Sequence, residues 1–240
     1  MPAKSSPIVP VIILLLVPVT LFVVADAFDL LQGYHKWRTK WYVQTQQPES
    51  ENSLYGVTLV QYPGDLVTYQ ELLNRIRPDF VIETGTFQGA SALYYATFLE
   101  FINPAARVIT VDIDGNHWRK TLEALDIPGK QKLLDRITFL EGSSTAPETL
   151  DKIKKLVPAG SKVLVVLDSA HTREHVSEEL KLYAPFVSKD SYIIINDTDF
   201  TGLPEAIGDF LKSNDQFVLD RTPDRFFLTC AKDGFLKRVK

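Results

Sequence analysis

The chain has 240 residues, 45% of them hydrophobic and 23% charged, with a formal net charge of −4. That composition fits one globular domain with a short extension, and it excludes the basic footprint of a nucleic-acid binder. The single cysteine, Cys230, excludes a disulfide framework and fits a reducing compartment.

In chain order, residues 1–7 form a short tail. Residues 8–25, "IVPVIILLLVPVTLFVVA", carry no charge. As a helix this run spans roughly 27 Å, close to the hydrocarbon thickness of a thin bilayer. Pro10 and Pro18 are tolerable in a membrane helix. The run is predicted to be a transmembrane anchor. The rival reading is a signal peptide cleaved after Ala27, in the A-x-A pattern of residues 25–27. Lys36, Arg38 and Lys40 follow the run and place the next domain on the cytosolic face. The expectation is therefore a single-pass membrane protein with a cytosolic domain. Residues 26–54 read as a juxtamembrane segment and linker, with the polar stretch "QTQQPESENS" at 44–53.

From residue 55 to 240 short apolar runs alternate with helical patterns. Strands are predicted at 79–84, 107–112, 136–141, 162–168 and 191–197. Their near-continuous Val/Ile/Leu content suggests burial on both faces of a parallel sheet. Helices are predicted at 66–77, 90–102, 117–126, 147–156, 172–186 and 204–213. "QFVLD" at 216–220 and "RFFLTCA" at 225–231 are read as a closing antiparallel hairpin. The fold class is α/β: a doubly wound, Rossmann-like sheet of seven strands, mostly parallel with one antiparallel strand, preceded by the transmembrane helix.

The strand ends carry the chemistry. "ETGTFQGAS" joins the first strand of this set to a helix. Gly85 and Gly89 let backbone approach a ligand there, and the helix start offers free N–H groups. The spacing E-x-G-x-x-x-G is neither the dinucleotide fingerprint nor a phosphate loop. The second strand ends in Asp112, where an acid takes a ribose diol in doubly wound folds; Asp114 is a candidate helix cap beside it. The third ends in "EGSS", whose Ser143 and Ser144 are small enough to lie against a flat base. Together these fit an adenosine ligand without phosphates.

The fourth and fifth strands end in Asp168 and in Asn196-Asp197. Two carboxylates and an amide suit a hard cation such as Mg²⁺. A hydroxyl beside such an ion ionises more easily and can attack an electrophilic methyl group. His171 is a candidate general base, and His175, one turn later, a structural or substrate contact. Asn196-Asp197-Thr198 also matches a glycosylation sequon, which a strand-end position in a cytosolic domain disfavours. His35 and His117 belong to no ligand cluster, and no two-histidine-one-carboxylate iron site is evident.

"RPDFVIETGTFQGASALYYA", "VITVDID", "VLVVLDSAHTREHVSEELKLYAPFVSKDSYIIINDT" and "DRTPDRFFLTCAKDGFLKR" resemble, in order, the blocks of class I S-adenosylmethionine-dependent methyltransferases of the cephalosporin hydroxylase and rhamnosyl O-methyltransferase family. The resemblance runs from about Gly56 to Arg238. It implies S-adenosylmethionine as cosubstrate. It places Glu83, Gly85 and Ser91 at the methionine end, Phe87 over the donor, Asp112 on the ribose, and Ser143 and Ser144 near the adenine. The chain is also similar in layout to catechol O-methyltransferases, which implies a metal held by Asp168, Asn196 and Asp197. His171 falls where that enzyme has a basic lysine. Two departures from the closer family stand out: Asn196 replaces an acid, and Ala170 replaces another before His171. The function expected is a membrane-anchored, Mg²⁺-assisted O-methyltransferase. Its partner is a small hydroxyl acceptor of natural-product, lipid or sugar-like kind that partitions into membrane. Homo-oligomerisation is left open. The alternatives are a non-catalytic scaffold that kept the fold, and an accessory subunit of an oxidative tailoring enzyme.

Overall fold

The computed structural model describes residues 52–240. A two-stranded hairpin, β1 (Ser53–Leu54) and β2 (Val57–Thr58), opens this part and leads into helix α1 (Pro63–Ile76). The α/β alternation then runs β3 (Phe80–Thr84), α2 (Ala90–Ile102), β4 (Arg107–Asp112), α3 (Asn116–Ala124), α4 (Lys130–Leu134), β5 (Ile137–Glu141), α5 (Pro147–Leu156), β6 (Val163–Leu167), α6 (Arg173–Tyr183), β7 (Tyr192–Ile195), α7 (Leu203–Ser213), β8 (Phe217–Leu219) and β9 (Phe235–Arg238).

The main sheet has seven strands in the order β5-β4-β3-β6-β7-β9-β8. β3 pairs in parallel with both β4 and β6, and β9 runs antiparallel between β7 and β8. All five residues of β6 are buried, as a strand covered on both faces requires. One face packs on α1, α2 and α3 through Leu72, Leu93, Leu99 and Trp118. The other packs on α5, α6 and α7 through Ile153, Leu180 and Ile207. The chain winds outward from β3 to β5, then returns to β6 on the other side. The carboxyl ends of β3, β4 and β6 therefore border the crevice where doubly wound sheets bind ligands.

Three expectations are corrected. Among the described residues no helix is long and apolar enough to cross a membrane. The longest is α1 with 14 residues, short of the roughly 20 apolar residues a bilayer demands. This corrects the expected fold class and single-pass membrane localisation as far as the described residues reach: they form an α/β sheet domain in which no helix can cross a membrane, and the span expected at 8–25 lies outside them. The strand expected at 225–231 is an irregular strap, and the last strand is Phe235–Arg238. Asp65 holds the strap down: the Thr229 hydroxyl donates to its Oδ1 at 2.6 Å and the Cys230 N–H to its Oδ2 at 2.8 Å. The polar linker expected to reach residue 53 gives way to a strand there, because Ser53–Leu54 pairs with Val57–Thr58.

Candidate active site

A cavity of about 790 Å³ opens at the carboxyl ends of the parallel strands. That lies within the range of sites that enclose a small organic ligand. One wall begins at the glycine turn. Gly85 has φ +87°, and a Cβ there would lie 1.9 Å from the Asp168 carbonyl oxygen. Only glycine lets the ends of β3 and β6 close together in this way. Gly89 has φ +80°, and its missing side chain is replaced by the Trp118 ring. Phe87 takes a left-handed conformation, φ 47°. Its N–H donates to Asp112 Oδ2 at 2.8 Å, and its ring lies 5.0 Å from that of His117.

Asp112 stands at the end of β4 and lines the cavity, with Oδ1 accepting the Asp114 N–H at 3.1 Å. Asp114 makes the turn into α3, accepting the Asn116 N–H at 2.9 Å. The N-cap position is Gly115 and no side chain caps it, so Asp114 shapes the turn one residue earlier while Asp112 stands at the cavity wall. Ser91, Ser143 and Ser144 line the same cavity. Ser144 Oγ lies 3.0 Å from His175 Nε2, and its carbonyl accepts the Tyr183 hydroxyl at 2.8 Å. Glu83 does not line the cavity: it is fully buried beneath the turn, where Thr110 Oγ1 donates to its Oε2 at 2.7 Å. Burial pushes its carboxyl up to about 8, against the opposing hydrogen bonds.

The opposite wall carries an acid cluster. His171 Nε2 lies 3.1 Å from Asp197 Oδ2 and 3.6 Å from Asp168 Oδ1. One ligand atom from each of Asp168, His171 and Asp197 falls within 4.8 Å of the others. Asp197 holds φ 54°, a left-handed conformation that aspartate adopts more readily than most residues, and it turns the chain after β7. Burial raises the Asp168 carboxyl and lifts that of Asp197 to about 6. The hydrogen bond to Asp168 raises His171 above its ordinary value. The Phe200 ring lies 4.9 Å from the imidazole. Asn196 is buried; its Nδ2 donates to Asp168 Oδ2 at 3.0 Å and its Oδ1 accepts the Tyr69 hydroxyl at 2.6 Å. Its amide oxygen is thereby engaged away from the Asp168–Asp197 pair.

Three residues here escape a reading of the sequence. Gln61, 3% exposed, donates Nε2 to Asp168 Oδ2 at 3.3 Å. Asp65 pins the strap, and burial lifts its carboxyl to about 6. Cys230, carried on the strap, lines the cavity, and burial pushes its thiol up. Gln61 and Asp65 flank the entry to α1, far in the chain from the strand ends they touch.

Fold and cavity together define a doubly wound α/β domain whose strand-end crevice joins a glycine turn to a carboxylate–imidazole cluster. Residues 47–239 match the family model for rhamnosyl O-methyltransferase/CmcI. A rhamnosyl O-methyltransferase of Mycobacterium tuberculosis is 33% identical over 223 residues, covering 86% of this chain and 84% of the relative. One of Mycobacterium leprae is 30% identical over 226 residues, covering 88% and 91%. Among solved structures, CmcI with Mg and SAM superposes with a TM-score of 0.62 at 18% identity, over 80% of this chain and 78% of the other. The TDP-rhamnose 3'-O-methyltransferase of calicheamicin biosynthesis gives 0.55 at 20% identity, over 72% and 78%. The two structures share the fold. The chain belongs to the rhamnosyl O-methyltransferase/CmcI family. It is, as a member, an S-adenosylmethionine-dependent O-methyltransferase.

Proposed function

We propose that this enzyme methylates a hydroxyl of a rhamnose-like sugar, with the donor along the β3–β5 wall and the hydroxyl at the acid cluster. The observation that carries this reading is the single cavity that joins Gly85 and Asp112 to Asp168, His171 and Asp197. The sugar class comes from the mycobacterial relatives. Asp112 takes the donor's ribose hydroxyls, Ser143 and Ser144 face its adenine, and Gly85 and Ser91 flank its methionine end. Glu83 supports the turn from below. The acceptor oxygen forms a bond to the methyl carbon as the carbon–sulfur bond breaks, leaving neutral S-adenosylhomocysteine. The hydroxyl proton passes to His171, whose ring Phe200 and Asp197 hold in place. Holding both reactants in one cavity supplies much of the barrier reduction.

The donor set fits a divalent metal. Asp168 and Asp197 offer carboxylate oxygens, and His171 Nε2 lies 3.1 Å from the Asp197 carboxylate. Mg²⁺ favours oxygen, so Asp168 and Asp197 would hold it. Bound there, it would stabilise negative charge on an acceptor oxygen. Asn196 orients Asp168 in this arrangement. The test is incubation of the full chain with S-adenosylmethionine and a panel of α-L-rhamnosides, read by mass spectrometry. The expected result is one added methyl group on the sugar. Turnover of another hydroxyl class with every rhamnoside inert overturns the substrate assignment.

A further inference from the structure

Gln61 is the least explained polar side chain in the cavity wall. Its backbone is fixed on both sides: its N–H donates to the Leu59 carbonyl at 2.9 Å, and its carbonyl accepts Asn52 Nδ2 at 2.7 Å. Its side-chain nitrogen donates to Asp168 Oδ2. A carboxylate only accepts, so the amide orientation follows from this contact: Nε2 faces Asp168 and Oε1 faces elsewhere. Oε1 is buried and has no hydrogen-bond partner among the described residues. An unpaired buried acceptor carries the full desolvation penalty of its polar group. Such a group persists where something else satisfies it.

The position says what that is. Gln61 lines the same cavity as the glycine turn. The Gly85 backbone touches the Asp168 carbonyl so closely that no Cβ fits between them. Gln61 and Asp168 therefore border the methionine end of the donor site. An amide oxygen beside a carboxylate is complementary to a cationic donor, and charge-assisted hydrogen bonds are about twice as strong as neutral ones. An ammonium has three N–H donors and can serve Oε1 and the Asp168 carboxylate at once, whereas a hydroxyl has one.

We propose that the Gln61 side-chain carbonyl accepts a hydrogen bond from the α-ammonium group of the bound methyl donor. The assignment rests on the donor placement given above. Gln61 thus makes two contacts with one amide: Nε2 fixes Asp168, and Oε1 reads the amino-acid part of the cosubstrate. It selects donors that carry the amine over nucleosides that lack it.

The test is calorimetry on the full chain with two probes, S-adenosylhomocysteine and 5'-methylthioadenosine, which lacks the amino-acid moiety. Gln61→Met keeps the length and removes both polar ends; Gln61→Leu is a second variant in case methionine fails to fold. The expected result is a tenfold or greater loss of S-adenosylhomocysteine affinity with methylthioadenosine binding within twofold of wild type. Asn196→Ala removes the other bond to Asp168 Oδ2 and controls for displacement of that carboxylate; it is expected to weaken S-adenosylhomocysteine less than threefold. Unchanged S-adenosylhomocysteine affinity in the Gln61 variants overturns the proposal. So does an equal loss with both probes, and so does a tenfold loss of S-adenosylhomocysteine in Asn196→Ala. A wild-type protein that binds neither probe overturns the donor placement itself, and this inference with it.

Discussion

The two walls of the cavity are built by different means. The donor wall is backbone shape: Gly85 and Gly89 at positive φ, Phe87 held left-handed by Asp112, and small serines after β5. Each of its groups sits within a few residues of the strand that positions it. The acid wall is assembled from side chains far apart in the chain. Tyr69 holds Asn196, Gln61 holds Asp168, and Asp65 holds the strap at Thr229 and Cys230. A surface made by backbone is rigid and sensitive to volume. A surface made by a hydrogen-bonded cluster is sensitive to the loss of single polar atoms.

That contrast is broken most severely at Gly85. Gly85→Ala places a methyl group 1.9 Å from the Asp168 carbonyl oxygen, and it forces alanine into the left-handed region. Overpacking and backbone strain together are expected to destabilise the protein by about 3 kcal/mol or more. Urea denaturation would show this as a lowered midpoint or as no folded protein. A normal midpoint would mean the β3 and β6 ends are not locked together.

The acid wall responds in rate. His171→Ala is expected to lower kcat by roughly 10²–10⁴-fold, the usual contribution of a general base, while the melting temperature stays within a few degrees. A rate within threefold of wild type would remove His171 from the chemistry.

The smallest effect concerns Glu83, and it is a matter of pH. Its folded carboxyl is raised to about 8 from an ordinary 4.5. Between those values the folded state binds more protons than the unfolded state. Its contribution to stability is therefore complete below about pH 4.5 and is lost as pH rises through about 8. Asp65 and Asp197, both near 6, add falls of the same sign lower in the range. Glu83→Gln should flatten the stability profile between pH 6 and 8 relative to wild type, measured as the difference between two series of denaturation midpoints. Parallel profiles would show that Glu83 titrates normally.

The strand ends that form the glycine-turn wall were legible in the sequence because local chemistry fixes where those strands stop. Strands β3, β4 and β6 follow from near-continuous apolar runs, and α2 and α5 fall where their patterns start and stop. Asp168, His171 and Asp197 were also readable, since a strand end delivers them to the crevice. Asn196 shows the limit. Its strand-end position marks it as a candidate ligand, yet its amide is committed to Tyr69 and Asp168, a fact set by the packing of α1. The strap fails for a related reason. "RFFLTCA" has the composition of a strand, but the buried carboxylate of Asp65 captures two of its donors, and the sheet takes "FLKR" after the turn at Asp233–Gly234 instead. Nothing near residue 65 in the sequence points to residues 229 and 230.

The central claim is a division of labour across one cavity: the donor's nucleoside is bound on the glycine-turn wall, and the acid wall carries the chemistry and, through Gln61, meets the donor's amino-acid end. S-adenosylhomocysteine titration of wild type, Asp112→Ala and His171→Ala by calorimetry tests it most directly. The account predicts that Asp112→Ala abolishes detectable binding while His171→Ala binds within threefold of wild type. Binding that survives Asp112→Ala and is lost in His171→Ala would contradict it.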